Sequence, residues 1–167
     1  LHDHAGHGSA RLGARWRRGE DQQRAEEERA AAEAMAKYAP EINNADNAPS
    51  YGPKDAKVTV VEFFDFSCGY CKRLAPAIEK VMADNGDVLF VFKPLSFVSP
   101  VSSYQAKAGI AAHNQGKFAE FYKEVMGAEG RMTEASVDEI AKKIGLNFDQ
   151  FKNDVNSTKT EEALKEV

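Results

Sequence analysis

The sequence predicts an α/β fold: a strand–helix–strand unit with parallel strands, followed by a wholly helical segment. Three observations carry that expectation. Residues 56–64 (AKVTVVEFF) and 88–93 (VLFVFK) are short β-branched and aromatic runs, the composition of buried strands. Between them, residues 68–85 place Leu74, Ile78, Val81 and Met82 at helical spacing, with all four expected to face inwards. From residue 100 onwards the apolar positions recur only with helical period. Two consecutive strands that pair in parallel need a crossover, and the intervening helix supplies it.

Composition bounds the answer further. The 167 residues are 43% hydrophobic and 29% charged, with ten Phe and five Tyr, enough for one packed domain and some extra length. Twenty-two Lys and Arg against 26 Asp and Glu give a net charge of -4, which argues against a general nucleic-acid binder. The longest apolar runs, 58–61 and 88–92, fall far short of a membrane span. The chain starts at Leu1 with no apolar leader before its polar start, as expected if a leader was removed or the sequence was cut.

In chain order, residues 1–20 read as a disordered tail, with His2, His4 and His7 followed by Arg11, Arg15, Arg17 and Arg18 around Trp16. Three imidazoles at short spacing can ligate a borderline cation, but without a fourth ligand or a scaffold they fix no geometry. Residues 21–39 consist almost entirely of strong helix formers, and Pro40 is expected to end the helix. Its Ala32, Met35 and Ala39 stripe suits an oligomerisation arm, and the alternative is a solvated spacer. Residues 40–52 are turn-rich and read as a linker. The strand–helix–strand unit occupies 53–99, with Asn85-Gly86-Asp87 breaking the helix. Residues 100–167 then hold helices at 102–115, 117–126, from a Thr133 cap to Gly145, at 147–155 and at 159–167.

The chemistry concentrates in Cys68-Gly69-Tyr70-Cys71. Two cysteines are too few for a disulfide framework, and a bridge over so short a loop stabilises by only about 2 kcal/mol. Cys68 follows a strand and opens a helix, so unpaired backbone N–H groups and the helix dipole favour its thiolate. Cys71 lies one turn on, where its sulfur can attack a mixed disulfide formed on Cys68, and Lys72 and Arg73 add positive charge. This constellation suits thiol–disulfide exchange. Zinc would need two further ligands, and no second cysteine pair exists; His113 stands alone. No metal site is therefore assigned to the pair.

The segment 61–76 (VEFFDFSCGYCKRLAP) resembles the active-site segment of the DsbA-like branch of the thioredoxin superfamily. Glu62 stands six residues before Cys68 and Pro76 eight after it, matching that family's strand glutamate and kinking helix proline. The resemblance covers residues 53–167. It implies a thioredoxin-like α/β fold with an inserted helical domain at 100–167, but the family's C-terminal strands and cis-proline loop are missing from this chain. None of Pro40, Pro49, Pro53, Pro76, Pro94 and Pro100 fits that loop. It also implies roles: Cys68 as nucleophile, Cys71 as resolving thiol, and Glu62 as a proton relay with a burial-raised pKa. The redox-active Cys68–Cys71 disulfide serves in place of any cofactor.

The implied substrates are cysteine-containing unfolded or misoxidised proteins in the periplasm or another exported compartment, with a membrane redox partner protein. Gly69-Tyr70 departs from the Pro-His of the best-known oxidases, which points to a milder oxidant or an isomerase. An arm ahead of the domain is similar in architecture to the ScsC-type trimeric isomerases, so a homo-oligomer through residues 21–39 is expected. Two other functions compete. One is a copper-stress binding protein using the histidine tract and the thiols; the other is a non-catalytic oligomeric scaffold displayed by the arm.

Overall fold

The computed structural model describes residues 6–46 and 48–165, with side chains from Gly19 onwards. It divides into two compact units, Leu1–Ile42 and Asn43–Val167. In the first unit a single helix, α1, runs through Gly6–Ile42. This corrects two expectations. Residues 6–20 are helical rather than an irregular tail, because a helix already nucleated in the strong formers of 21–39 extends at little further cost. Pro40 does not end the helix at residue 39: its ring removes one backbone bond, but only two helical residues follow it. Along the described part of α1 the side chains are open to solvent except at Ala39 and Ile42, which are partly covered; Met35 is 58% and Tyr38 44% exposed. His2 and His4, and the side chain of His7, lie outside the described residues, and the metal-tract reading with them.

The second unit contains strands β1 (Ser50–Tyr51), β2 (Thr59–Phe64) and β3 (Leu89–Pro94), with helix α2 (Gly69–Asp84) between β2 and β3. β2 and β3 pair in parallel, with Thr59 opposite Leu89 and Phe64 opposite Pro94, as the crossover argument requires. β1 pairs antiparallel with β3 through Ser50 and Val91, giving the sheet order β1-β3-β2. It lies inside the expected linker of 40–52, since two residues are too few to display any alternation. Gly52 closes this corner. Its φ is +104°, and a Cβ there would stand 2.1 Å from the Val88 carbonyl oxygen, so only glycine fits.

After β3 the described chain is helical: α3 (Ser102–Asn114), α4 (Phe118–Gly127), α5 (Glu134–Lys143), α6 (Phe148–Val155) and α7 (Thr158–Lys165). Thr133 caps α5 through a reciprocal pair of bonds with Ser136, and Gly145, at φ +73°, follows its end. Asn147 caps α6 by accepting from the Gln150 N–H.

The core lies between the sheet and these helices. Phe64, Phe66, Phe90, Phe92, Phe118, Phe121 and Tyr122 are all buried in it, each worth about 2–3 kcal/mol of transfer free energy. α3 approaches so closely that a Cβ on Gly109 would sit 3.2 Å from the Phe66 ring. On α2 the inward stripe is Ala75, Ile78 and Met82. Leu74 and Val81, expected inside, stay 50% and 45% exposed, because they border that stripe rather than lie on it.

Candidate active site

The residues between β2 and α2 form a turn held by a buried carboxylate. Oδ1 of Asp65 accepts from the Ser67 N–H at 2.8 Å and from the Ser102 hydroxyl at 2.8 Å. Oδ2 accepts from the N–H groups of Phe97 and Val98, both at 3.0 Å. One side chain thus joins the turn, the loop after β3 and the start of α3. Phe66 anchors the turn from within, its ring 4.8 Å from Phe64 and 5.7 Å from Phe121. The Cys68 N–H donates to the Asp65 carbonyl at 2.9 Å, which completes the turn.

Cys68 is therefore delivered as the N-cap of α2, with extended φ/ψ of -75° and 117°, and its carbonyl accepts from the Lys72 N–H at 3.0 Å. Both cysteines are free thiols. Their environments push them apart. The Cys71 backbone N–H, the Cys71 thiol and then the Tyr70 N–H stabilise negative charge on Cys68 and lower its pKa, against burial and the Asp65 charge. Cys71 packs against the core, and that burial raises its pKa. The charges of Cys68 and Glu62 push it the same way. Between them Tyr70 is 80% exposed, with the Arg73 guanidinium 4.3 Å above its ring.

Glu62, on β2, is half-buried, and burial raises its pKa to about 7. Tyr122, on α4, opposes that shift, its hydroxyl donating to both carboxylate oxygens at 3.2 and 3.1 Å. The tyrosine is held edge-on to Phe64 at 5.4 Å and tilted against Phe92 at 5.2 Å, so its hydroxyl has a fixed aim. The structure thus brings Cys68, Cys71 and Glu62 into one electrostatic neighbourhood. A carboxyl group that titrates near neutrality is suited to take or return the proton of a high-pKa thiol. Among the described residues, no three His, Cys, Asp or Glu side chains are gathered into a group able to hold a metal ion.

Two contributors escape a reading of the sequence alone. Tyr122 falls on the apolar stripe of α4 with Phe118, Phe121 and Val125, and only its hydroxyl hinted that the stripe carries a polar task. Asp65, three residues before Cys68, gives no signal in sequence, because its four partners come from positions 67, 97, 98 and 102.

Comparison with known proteins extends the geometry. A family model described as thioredoxin matches residues 44–167. The structure of the thiol-disulfide exchange protein α-DsbA2 from Wolbachia pipientis superposes with a TM-score of 0.73 at 25% identity, covering 79% of this chain and 72% of that one. The catalytic domain of Proteus mirabilis ScsC gives a TM-score of 0.70 at 26% identity, covering 80% and 74%. Among curated proteins, the Na(+)/H(+) antiporter NhaA 1 of Salinispora arenicola is 34% identical over 103 residues, which are 60% of this chain and 16% of that protein. The chain thus matches about a sixth of the length of such relatives. No described helix is long and apolar enough to cross a membrane.

Proposed function

The chain belongs to the thioredoxin family, and from that premise we propose that it is a thiol–disulfide oxidoreductase acting through Cys68 and Cys71 on the cysteines of exported proteins. The observation that carries the reading is the opposed acidity of the two thiols, Cys68 lowered and Cys71 raised, beside a glutamate with a pKa of about 7. Solved neighbours described as a thiol-disulfide exchange protein and as a periplasmic thioredoxin-like protein support the activity and the exported setting. The antiporter relatives share only a sixth of their length with this chain, so ion exchange stays with those proteins.

The steps balance as follows. In the reducing direction, the Cys68 thiolate attacks a substrate disulfide; a Cys68–substrate bond forms, and one substrate sulfur leaves as a thiolate. Cys71 gives its proton to the Glu62 carboxylate and attacks Cys68, which releases the second substrate sulfur and closes the Cys68–Cys71 disulfide. In the oxidising direction, a substrate thiolate attacks Cys68, and the electron pair of the broken bond passes to Cys71, which takes its proton from the Glu62 carboxyl. A second substrate thiolate then releases Cys68. Isomerisation uses the first attack alone, with a substrate thiol performing the release. Regenerating the oxidised pair needs a disulfide-donating partner protein, and regenerating the dithiol needs a dithiol reductant.

The exposed Gly69-Tyr70 pair offers no cationic imidazole to the Cys68 thiolate, which favours a mild redox poise and an isomerase. Assembly through residues 21–39 would set several such pairs around one substrate at high effective concentration. Insulin reduction and the refolding of scrambled ribonuclease test the reading together. Turnover in both supports an isomerase, turnover of insulin alone supports a simple oxidoreductase, and turnover of neither rejects the proposal.

A further inference from the structure

A cavity of about 610 Å³ opens beside the cysteine pair, between the active-site turn, the loop after β3 and the loop joining α4 to α5. Ser67 and Lys72, the residues immediately before Cys68 and after Cys71, both line it. Its size lies within the range of ordinary ligand sites.

The cavity is rich in hydrogen-bond donors. Gln105, on α3, lines it and is fully buried. Its Oε1 accepts from the Ser67 hydroxyl at 2.7 Å, but among the described residues its Nε2 finds only the thioether sulfur of Met132, at 3.4 Å. A thioether is a weak acceptor, and the amide has a second N–H to place. An oxygen acceptor brought in by a ligand would serve this donor better than the sulfur does. Lys72 is half-buried on the same wall. Its Nζ spends one of three donors on the Ala128 carbonyl at 2.7 Å, and the desolvation that lowers its pKa leaves its charge seeking an anion. Arg131 stands exposed at the rim, and Glu134 is the one acid in the lining, so the cations outnumber it by one.

We propose that this cavity is a specificity subsite, which seats an acidic side chain of the substrate polypeptide close in sequence to its reacting cysteine. The proposal rests on the oxidoreductase reading, since the occupant is the chain whose cysteine joins Cys68. Gln105 and the ammonium of Lys72 receive the carboxylate from inside, and the Arg131 guanidinium covers it from the rim. Ser67 and Lys72 flank the cysteine pair and line the cavity, so the acid it takes lies within a few residues of the reacting cysteine; at about 3.3 Å per residue of extended chain, a position seven or eight away lies about 25 Å off.

The test uses the full chain and two peptide series. In the first, serine replaces the cysteine, so no thiol chemistry is possible; each fluorescein-labelled peptide carries Glu, Ala or Lys at the third residue from that serine, or Glu at the eighth. Fluorescence anisotropy is expected to show the near-Glu peptide binding about tenfold more tightly than the near-Lys peptide, with the distant Glu close to Ala. Arg131→Ala and, separately, the near-isosteric Gln105→Met should each cut that ratio at least threefold, whereas Arg73→Ala, which removes a cation outside the cavity, should retain it. A ratio that survives both cavity substitutions, or that falls equally in Arg73→Ala, overturns the subsite in favour of a general field. The second series keeps the cysteine and follows its oxidation by protein first converted to the Cys68–Cys71 disulfide: the peptide thiolate forms a mixed disulfide with Cys68, and Cys71 leaves as the thiol. Oxidation with no positional preference for Glu rejects the subsite and leaves the oxidoreductase reading standing. Positional binding of the serine peptides without any oxidation of the cysteine peptides keeps the subsite and rejects that reading.

Discussion

The Tyr122 hydroxyl is shared between both carboxylate oxygens of Glu62, at 3.2 and 3.1 Å, and so ties α4 to the strand that leads into the cysteine turn. The bond favours the ionised carboxylate, whereas burial favours the neutral acid, and burial wins. The balance between the two leaves Glu62 near pH 7, where a proton relay is most useful.

Tyr122→Phe should therefore raise the Glu62 pKa further, by about one unit, since a hydrogen bond to a charged group is worth about 1.5 kcal/mol. The carboxyl stretch followed by infrared titration reads this directly. The pH profile of mixed-disulfide resolution by Cys71 should move the same way. A titration that stays near 7 removes Tyr122 from the account.

Glu62→Gln tests the same carboxyl through stability. The folded pKa, about 7, lies above the ordinary 4.5, so folding favours the protonated acid. Its contribution is complete below about pH 4.5 and is lost as the pH rises through 7. After discounting for its partial solvent contact, the loss is of order 2 kcal/mol. Denaturant melts at pH 4 and pH 8.5 should show wild type losing about that much more stability with rising pH than Glu62→Gln, which cannot ionise. Equal losses would mean that Glu62 titrates normally.

Alkylation separates the thiols. In the reduced protein at about pH 6, iodoacetamide should label Cys68 first, since its pKa is lowered and that of Cys71 is raised. Peptide mapping that finds Cys71 modified faster contradicts the assignment of roles.

Much of this was legible in the sequence because local chemistry dictates it. The runs around Val61 and Val91 are apolar at every residue but Lys57, Thr59, Glu62 and Lys93, and such strands pair in parallel under a helical cover. Cys68 could be placed at a helix start because a strand ends just before it and helix formers follow. Glu62 stood out as an acid among Val60, Val61, Phe63 and Phe64. What was not legible depends on distance in sequence. Asp65 meets Phe97, Val98 and Ser102 only once β3 has returned beside β2, and Tyr122 meets Glu62 across 60 residues. β1 was hidden for a different reason: its two residues are ordered by β3 and carry no pattern of their own.

Asp65 should be costly to remove. Asp65→Ala leaves the Ser67, Phe97 and Val98 N–H groups and the Ser102 hydroxyl without their acceptor, for about 3–4 kcal/mol in a urea melt. Asp65→Asn keeps the shape at a smaller cost. It also removes a negative charge that raises the Cys68 pKa, so the thiolate ultraviolet absorbance should titrate at lower pH than in wild type. An unchanged Cys68 titration would mean that the charge of Asp65 does not reach the sulfur.

The arm is tested by mass. A long helix whose side chains are largely open to solvent gains little from standing alone, and packing against copies of itself would order it. Light scattering at tens of micromolar, roughly where modest contacts show, should give an oligomer for the intact chain and a monomer for a variant starting at Asn43. Two monomers would make α1 a spacer and remove the argument for isomerisation by clustered sites.

The most direct measurement is capture of the mixed disulfide. Reduced Cys71→Ser, mixed with a disulfide-bonded substrate protein, retains the attacking Cys68 thiolate but lacks the thiol that resolves the adduct. Mass spectrometry should find a covalent adduct joined through Cys68 that dithiothreitol releases, and Cys68→Ser should trap none under the same conditions. An adduct formed more readily by Cys68→Ser through Cys71, or none from either variant, would contradict the account.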